Sequence, residues 1–205
     1  MIEQEETIFI IDDDPSVRKS LALFLKSYNY TVETFPGSEE FLSREPFEGT
    51  GCIILDVNLG GKTGLELQEV LISLDSHLPI VFISGQGNIP MSVNVLKKGA
   101  VNFLEKPFKD EELLRSIEEA LELSRRLKAE KEEIRIAQDL VNTLTPREKE
   151  ILAYLNTGML NKQIAGELGI AEQTVKLHRQ SICHKLCVKS VPEILRIADK
   201  AGITK

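Results

Sequence analysis

Four places in this sequence carry side chains that could do chemistry together. They are the acidic run Asp12-Asp13-Asp14, the lone carboxylate Asp56, the hydroxyl of Ser84, and Lys106 before Pro107. Carboxylates held close together repel unless a hard cation bridges them, and Mg2+ takes carboxylate oxygens, carbonyls and waters in an octahedron. Beside such an ion a carboxylate becomes a nucleophile toward phosphoryl groups, with a lysine neutralising the developing charge. The product would be an acyl phosphate, bulkier, more highly charged and richer in acceptor oxygens than the carboxylate. One acidic cluster alone would be ordinary, since Asp14 before Pro15 reads as a helix N-cap with proline at the first helical position. The set as a whole needs a shared scaffold.

That scaffold is written between the reactive residues. Strand-like apolar runs fall at residues 8–11, 31–35, 52–55, 80–83 and 101–104. Runs such as Ile8-Phe9-Ile10-Ile11 cannot alternate in and out, and they suit a parallel sheet covered on both faces. Amphipathic helical patterns separate them, including Val17, Leu21, Phe24 and Leu25. Five such βα repeats predict an open, doubly wound, flavodoxin-like sheet with right-handed crossovers. Function in such sheets gathers at the carboxyl ends of the strands. The acidic run, Asp56, Ser84 and Lys106 all lie there.

The segments IIDDDPSVRKSL, LDVNLGGKTGLEL, ISGQGNIPMSV and KKGAVNFLEKPF resemble a two-component response-regulator receiver domain, from residue 7 to about 120. The resemblance implies that Asp12 and Asp13 are the metal-binding acidic pair and Asp56 the phospho-acceptor. Asn58 would lend a backbone carbonyl to Mg2+. Ser84 and Phe103 would form a coupled hydroxyl–aromatic switch, Lys106 would bind the phosphate, and the Lys106–Pro107 peptide would be cis. One departure stands out. The family usually has Met-Pro where this chain has Leu59-Gly60, so this loop is expected to be more flexible.

Residues 109–141 read as one helix running into a linker. Leu113, Ala120, Leu127, Ile134 and Val141 recur every seven residues, with Leu123 and Ala137 at partner positions and Glu130 interrupting. Two readings remain open: a charged helix laid against a domain, or a stalk that pairs in a dimer.

The last sixty residues read as four helices. Thr145-Pro146-Arg147-Glu148 and Ser190-Val191-Pro192-Glu193 are capping boxes, and Asn161 can cap a helix that stops at Gly169. A longer helix from 172 to 186 carries Lys176, His178, Arg179 and Lys185, which makes a helix-turn-helix. LTPREKEIL and NKQIAGELGIAEQTVKLHR resemble the LuxR-type output domain over residues 143–202. The resemblance implies that Val175 and Ile182 face inward and that Lys176, Leu177 and Gln180 read base edges. Thr174 and Arg179 would clamp the backbone, with Lys162 and His178 beside them. Ala171 stands where the family commonly has a serine N-cap. Cys183 and Cys187, one turn apart near His184, are expected to be packing cysteines.

Charge follows the same division. Residues 1–120 carry 10 Lys+Arg against 21 Asp+Glu, and residues 142–205 carry 10 against 6. An acidic body with a basic tail is expected where only the tail meets a polyanion. Three cysteines form no disulfide framework, the acidic start is unlike a signal peptide, and no apolar run suits a membrane span. At 42% hydrophobic and 28% charged, the chain is too apolar for a disordered protein.

The expected organisation is a receiver at 1–122, a helical linker at 123–141 and a helix-turn-helix domain at 142–205. The expected function is a cytoplasmic transcription regulator, phosphorylated on Asp56 by a sensor histidine kinase with Mg2+. Its expected partners are promoter DNA, RNA polymerase and, on activation, a second copy. It is no enzyme beyond its own phosphoryl transfer and dephosphorylation. A phosphohydrolase of the haloacid-dehalogenase type would want aspartate at position 58, where Asn58 stands. An RNA-binding antiterminator is disfavoured by the helix-turn-helix.

Overall fold

The computed structural model describes residues 6–61, 63–85 and 89–203. The acidic start (residues 1–5), Lys62 of the second quoted segment and Gln86, Gly87 and Asn88 of the third lie outside them. The chain forms two compact units with their boundary between Lys128 and Ala129.

In the first unit β1 (Thr7–Ile11), α1 (Pro15–Ser27), β2 (Thr31–Phe35), α2 (Ser38–Ser43) and β3 (Gly51–Asp56) are followed by α3 (Gly64–Ser73) and β4 (Ile80–Ser84). Next come α4 (Ile89–Lys97), β5 (Asn102–Glu105) and the start of α5 (Asp110–Asn142). The five strands pair in parallel in the order β2-β1-β3-β4-β5. Every residue of β1, β3 and β4 is buried, as continuous apolar runs require when both faces are covered. The pleat sorts them. Phe9, Ile11, Leu55 and Phe82 face a core with Phe41, Leu67, Leu71 and Val95, whereas Ile8, Ile10, Ile54, Val81 and Ile83 face one with Leu21, Leu25, Leu113 and Ile117. β1, β3, β4 and β5 each carry a reactive residue at or just past the carboxyl end.

Aspartate 14 caps α1 as expected, its carboxylate accepting from the Ser16 N–H at 2.7 Å, with Pro15 at the first helical position. The Lys106–Pro107 bond is cis. Leu59 is buried in the sheet core, so the departing loop is pinned by an apolar side chain.

Helix α5 runs unbroken through the boundary between the units. Its seven-residue stripe is divided between two cores. Leu113 and Ala120 are buried in the sheet core and Val141 in the core of the second unit, Leu127 is half-buried, and Ile134 is 37% exposed. Three of the five stripe positions are therefore filled from within the chain.

The second unit holds the end of α5, then α6 (Pro146–Asn156), α7 (Asn161–Leu168), α8 (Glu172–Lys185) and α9 (Val191–Lys200). Ile151, Leu152, Ile164, Val175, Ile182, Leu186, Ile194 and Ala198 form its core. Gly169 ends α7 in the left-handed region at φ +63°, where a side chain would be strained, and this makes the tight turn into α8.

Three local expectations need correction. Leu160, not Asn161, is the N-cap of α7, and its backbone N–H is satisfied by Gln163 at 2.8 Å. Ser190 caps α9 without a side-chain bond to the backbone, because its hydroxyl donates instead to Glu193 at 2.6 Å. Cys183 packs against the core but Cys187 is exposed, because it follows the helix in a left-handed conformation at φ +56°.

Candidate functional site

The carboxyl ends of β1, β3, β4 and β5 bring the sequence-selected residues to one rim. Lys106 reaches across it, its Nζ lying 2.7 Å from Asp56 Oδ1 and 2.8 Å from Asp12 Oδ2. The other oxygens are engaged from the backbone: Asn58 N–H donates to Asp56 Oδ2 at 2.7 Å, and Asp14 N–H to Asp12 Oδ1 at 2.8 Å. Ser84 ends β4 fully buried, one strand from Asp56. Phe103 on β5 pairs in register with Phe82 and is half-buried against the sheet core.

Burial pushes the Asp56 carboxyl above its ordinary range, although Lys106 and the Asn58 N–H pull it back, and Asp12 adds to the rise. Burial alone would lower Lys106, but its bonds to Asp12 and Asp56 lift it, so it stays protonated. One ammonium thus serves two buried carboxylates. Asp13 stands apart and exposed, with its Oδ2 3.4 Å from where a side chain on Gly60 would begin. Among the described residues no three His, Cys, Asp or Glu side chains gather as a metal-binding group. Asp12 and Asp56 converge on Lys106 instead of meeting Asp13 at one point. The donor chemistry still suits a hard cation, because Asp12 and Asp56 bring carboxylate oxygens to one rim and Asp13 follows Asp12 in the chain. Arg18, which the sequence pattern does not single out, donates to the Asp12 carbonyl at 2.6 Å from one turn into α1.

On α8 the apolar and polar sides separate cleanly. Val175, Ile182 and Leu186 are buried, while Gln173, Lys176, Leu177, Gln180 and His184 form an exposed stripe at helical spacing. Leu177 is 58% exposed, a large apolar side chain turned to solvent on a polar face. Thr174, His178 and Arg179 are half-buried at its edge, and Arg179 hydrogen-bonds Asn161 at the start of α7. Lys162 is exposed on α7. Sequence reasoning missed Gln173 on this stripe, although its spacing of three residues before Lys176 was there to be read.

Beneath α8 lies Glu148, which is only 4% exposed. Burial opposes its ionisation, but bonds from Lys185, Ser181 and Thr145 outweigh that and hold its pKa down to about 2. A carboxylate lowered in the folded state stabilises it above the unfolded pKa and loses that contribution as pH falls through the folded one. The second unit is therefore expected to lose on the order of 3 kcal/mol between pH 4.5 and about 2. Glu148→Gln should flatten that part of the stability–pH curve in acid unfolding followed by circular dichroism. An unchanged curve would show that Glu148 is not the group responsible.

A parallel five-stranded sheet with an acid–lysine rim, joined to a helix-turn-helix unit, defines a signal-receiving DNA-binding protein. Residues 8–118 match the response regulator receiver domain, and residues 142–198 match the bacterial regulatory proteins of the luxR family. Nodulation protein W of Bradyrhizobium diazoefficiens is 39% identical over 96% of this chain and 87% of its own length. Response regulator protein TodT of Pseudomonas putida is 38% identical over 98% and 88%. Transcriptional regulatory protein FixJ of Bradyrhizobium diazoefficiens is 37% identical over 96% of each chain. Among solved structures, response regulator StyR is 43% identical with a TM-score of 0.79, covering 96% of this chain and 99% of that one. The chain belongs to the NarL/FixJ class of two-component response regulators. It is a response-regulator transcription factor with a receiver and a LuxR-type DNA-binding domain.

Proposed function

We propose that Asp56 accepts a phosphoryl group from a sensor histidine kinase and that this phosphorylation raises DNA affinity by promoting dimerisation. The observation that carries the reading is Lys106 bridging Asp12 and Asp56 at 2.8 and 2.7 Å beside buried Ser84. An Asp56 oxygen attacks phosphorus, an O–P bond forms as the donor's N–P bond breaks, and the leaving imidazole takes a proton. Lys106 then exchanges a carboxylate partner for a phosphoryl oxygen. Asp12, Asp13, the Asp56 carboxylate and the Asn58 carbonyl would hold Mg2+, which when bound neutralises charge developing on the phosphoryl oxygens. Apart from transferring and hydrolysing its own phosphoryl group, the chain is no enzyme, and it works in the cytoplasm. Among the described residues no helix is long and apolar enough to cross a membrane.

The new acceptor oxygens draw the Ser84 hydroxyl and let half-buried Phe103 bury fully, biasing a two-state equilibrium of the surface around α4 and β5. Ser84→Ala should still take up phosphate from a small donor yet lose most of the gain in DNA affinity. Gel shifts with promoter duplex, before and after acetyl phosphate, read this directly. A mutant that activates like wild type would remove the coupling. RNA bound in preference to the duplex would overturn the transcriptional reading.

Base reading falls to the exposed stripe of α8. Lys176→Ala and Gln180→Ala are each expected to cost about 1–3 kcal/mol of discrimination at particular bases. Arg179→Ala should weaken binding to all sequences alike and flatten its salt dependence, since a phosphate contact releases counterions without reading a base. A change in base preference alone for Arg179→Ala would reverse that assignment. On the promoter, the regulator would meet RNA polymerase.

A further inference from the structure

Glu148 does more than a capping box asks of it. As the third residue of α6 it accepts from the Thr145 N–H at 2.8 Å, while Glu148 N–H donates to the Thr145 hydroxyl at 3.3 Å. That already satisfies the helix start. The remaining acceptor capacity of the same carboxylate is directed to α8. Ser181 Oγ donates to Oε1 at 2.6 Å and Lys185 Nζ to Oε2 at 2.7 Å.

Ser181 and Lys185 are one helical turn apart, so they approach Glu148 from the same side of α8. Apolar packing through Val175, Ile182 and Leu186 holds α8 down, but it is non-directional and tolerates sliding or rolling. Two hydrogen bonds to two oxygens of one buried carboxylate are directional. Together they fix both the rotation of α8 and its position along its axis. Those two quantities decide where Lys176, Leu177 and Gln180 fall against base edges. Lys185, a cation on the DNA-facing helix, would by composition count as one more phosphate ligand. The structure uses it internally.

We propose that Glu148, Ser181 and Lys185 are positioning residues that set the register of the recognition helix, and that Lys185 makes no phosphate contact. The inference rests on the reading of α8 as the base-reading helix. It makes the specificity of this domain depend on three residues whose polar groups are turned to one another.

The test uses the full-length chain with acetyl phosphate, a duplex selected by the wild type from a random pool, and a scrambled duplex, across a salt series. Lys185→Met should lower the selected-to-scrambled affinity ratio by roughly tenfold, the contribution of one charge-assisted hydrogen bond. Its slope of log affinity against log salt should match wild type, while Arg179→Ala loses about one unit of slope. Ser181→Ala should move the ratio in the same direction, and Lys185→Arg, which keeps a donor, should retain it. Measurements well below each variant's unfolding midpoint separate positioning from stability. A slope reduced by about one in Lys185→Met would make Lys185 a phosphate ligand and overturn the proposal. So would an unchanged ratio. A wild type with no preference between the duplexes would remove base reading itself, and positioning with it.

Discussion

Incubated with Mg2+ and acetyl phosphate, the chain is expected to gain one acid-labile phosphoryl group, and Asp56→Asn to gain none. Three carboxylates stand at the rim, and their surroundings differ. Asp13 is exposed, and Asp12 sits at the start of the turn into α1 with one oxygen bound to the Asp14 N–H and the other to Lys106. Asp56 ends the central strand, flanked by β1 on one side and β4 on the other. Groups from both flanks can therefore reach a phosphoryl group on it, and Lys106 already lies at 2.7 Å. Asparagine keeps the shape and can still accept from the Asn58 N–H, but it has no nucleophilic oxygen. It also removes a carboxylate that burial strains, so the variant should be at least as stable as wild type. Intact mass before and after acid treatment decides the matter, with EDTA expected to block uptake. Labelling that persists in Asp56→Asn would move the acceptor elsewhere.

The rim was legible in the sequence because each reactive residue adjoins an apolar run, and a parallel sheet sends the ends of such runs to one edge. The strands were found to within about a residue for the same reason. What stayed hidden was long-range pairing. The capping box at Thr145 explains Glu148 completely from its neighbours, so nothing local announces Ser181 and Lys185 in a helix two elements on. The seven-residue stripe of α5 showed that one side is apolar but not what covers it. In the structure Leu113 and Val141 answer to different cores. Asn161 looked like a cap because its side chain suits one, yet the chain turns a residue earlier, at Leu160. Composition also cannot distinguish a packing cysteine from Cys187, which the end of α8 leaves in a left-handed, exposed position.

A fragment beginning at Ala129 is expected to fold and to bind duplex DNA at low salt, whereas one beginning at Asn142 is expected to lose most of its stability. Sequence alone puts the domain start at 142, but the core of the second unit begins earlier. Val141 is 3% exposed and Ala137 4%, and Leu140 packs against the same core as Val141. Fully burying a Val or Leu side chain stabilises by about 1.5–3 kcal/mol, so the last turns of α5 contribute roughly 3–5 kcal/mol in all. A unit of this size has only about 4–11 kcal/mol to lose. Charge sets the DNA side of the prediction. Residues 1–128 carry 13 Lys+Arg against 22 Asp+Glu, and residues 129–205 carry 12 against 10. Removing a body of charge −9 leaves a fragment at +2, whose non-specific affinity should exceed that of the whole chain at low salt. Two-site binding should fall to the extent that the first unit joins the two copies. Thermal unfolding and titration with a scrambled duplex test both halves. Equal midpoints for the two fragments would show that the end of α5 is dispensable, and an Ala129 fragment without affinity at low salt would undo the assignment of DNA binding to this unit.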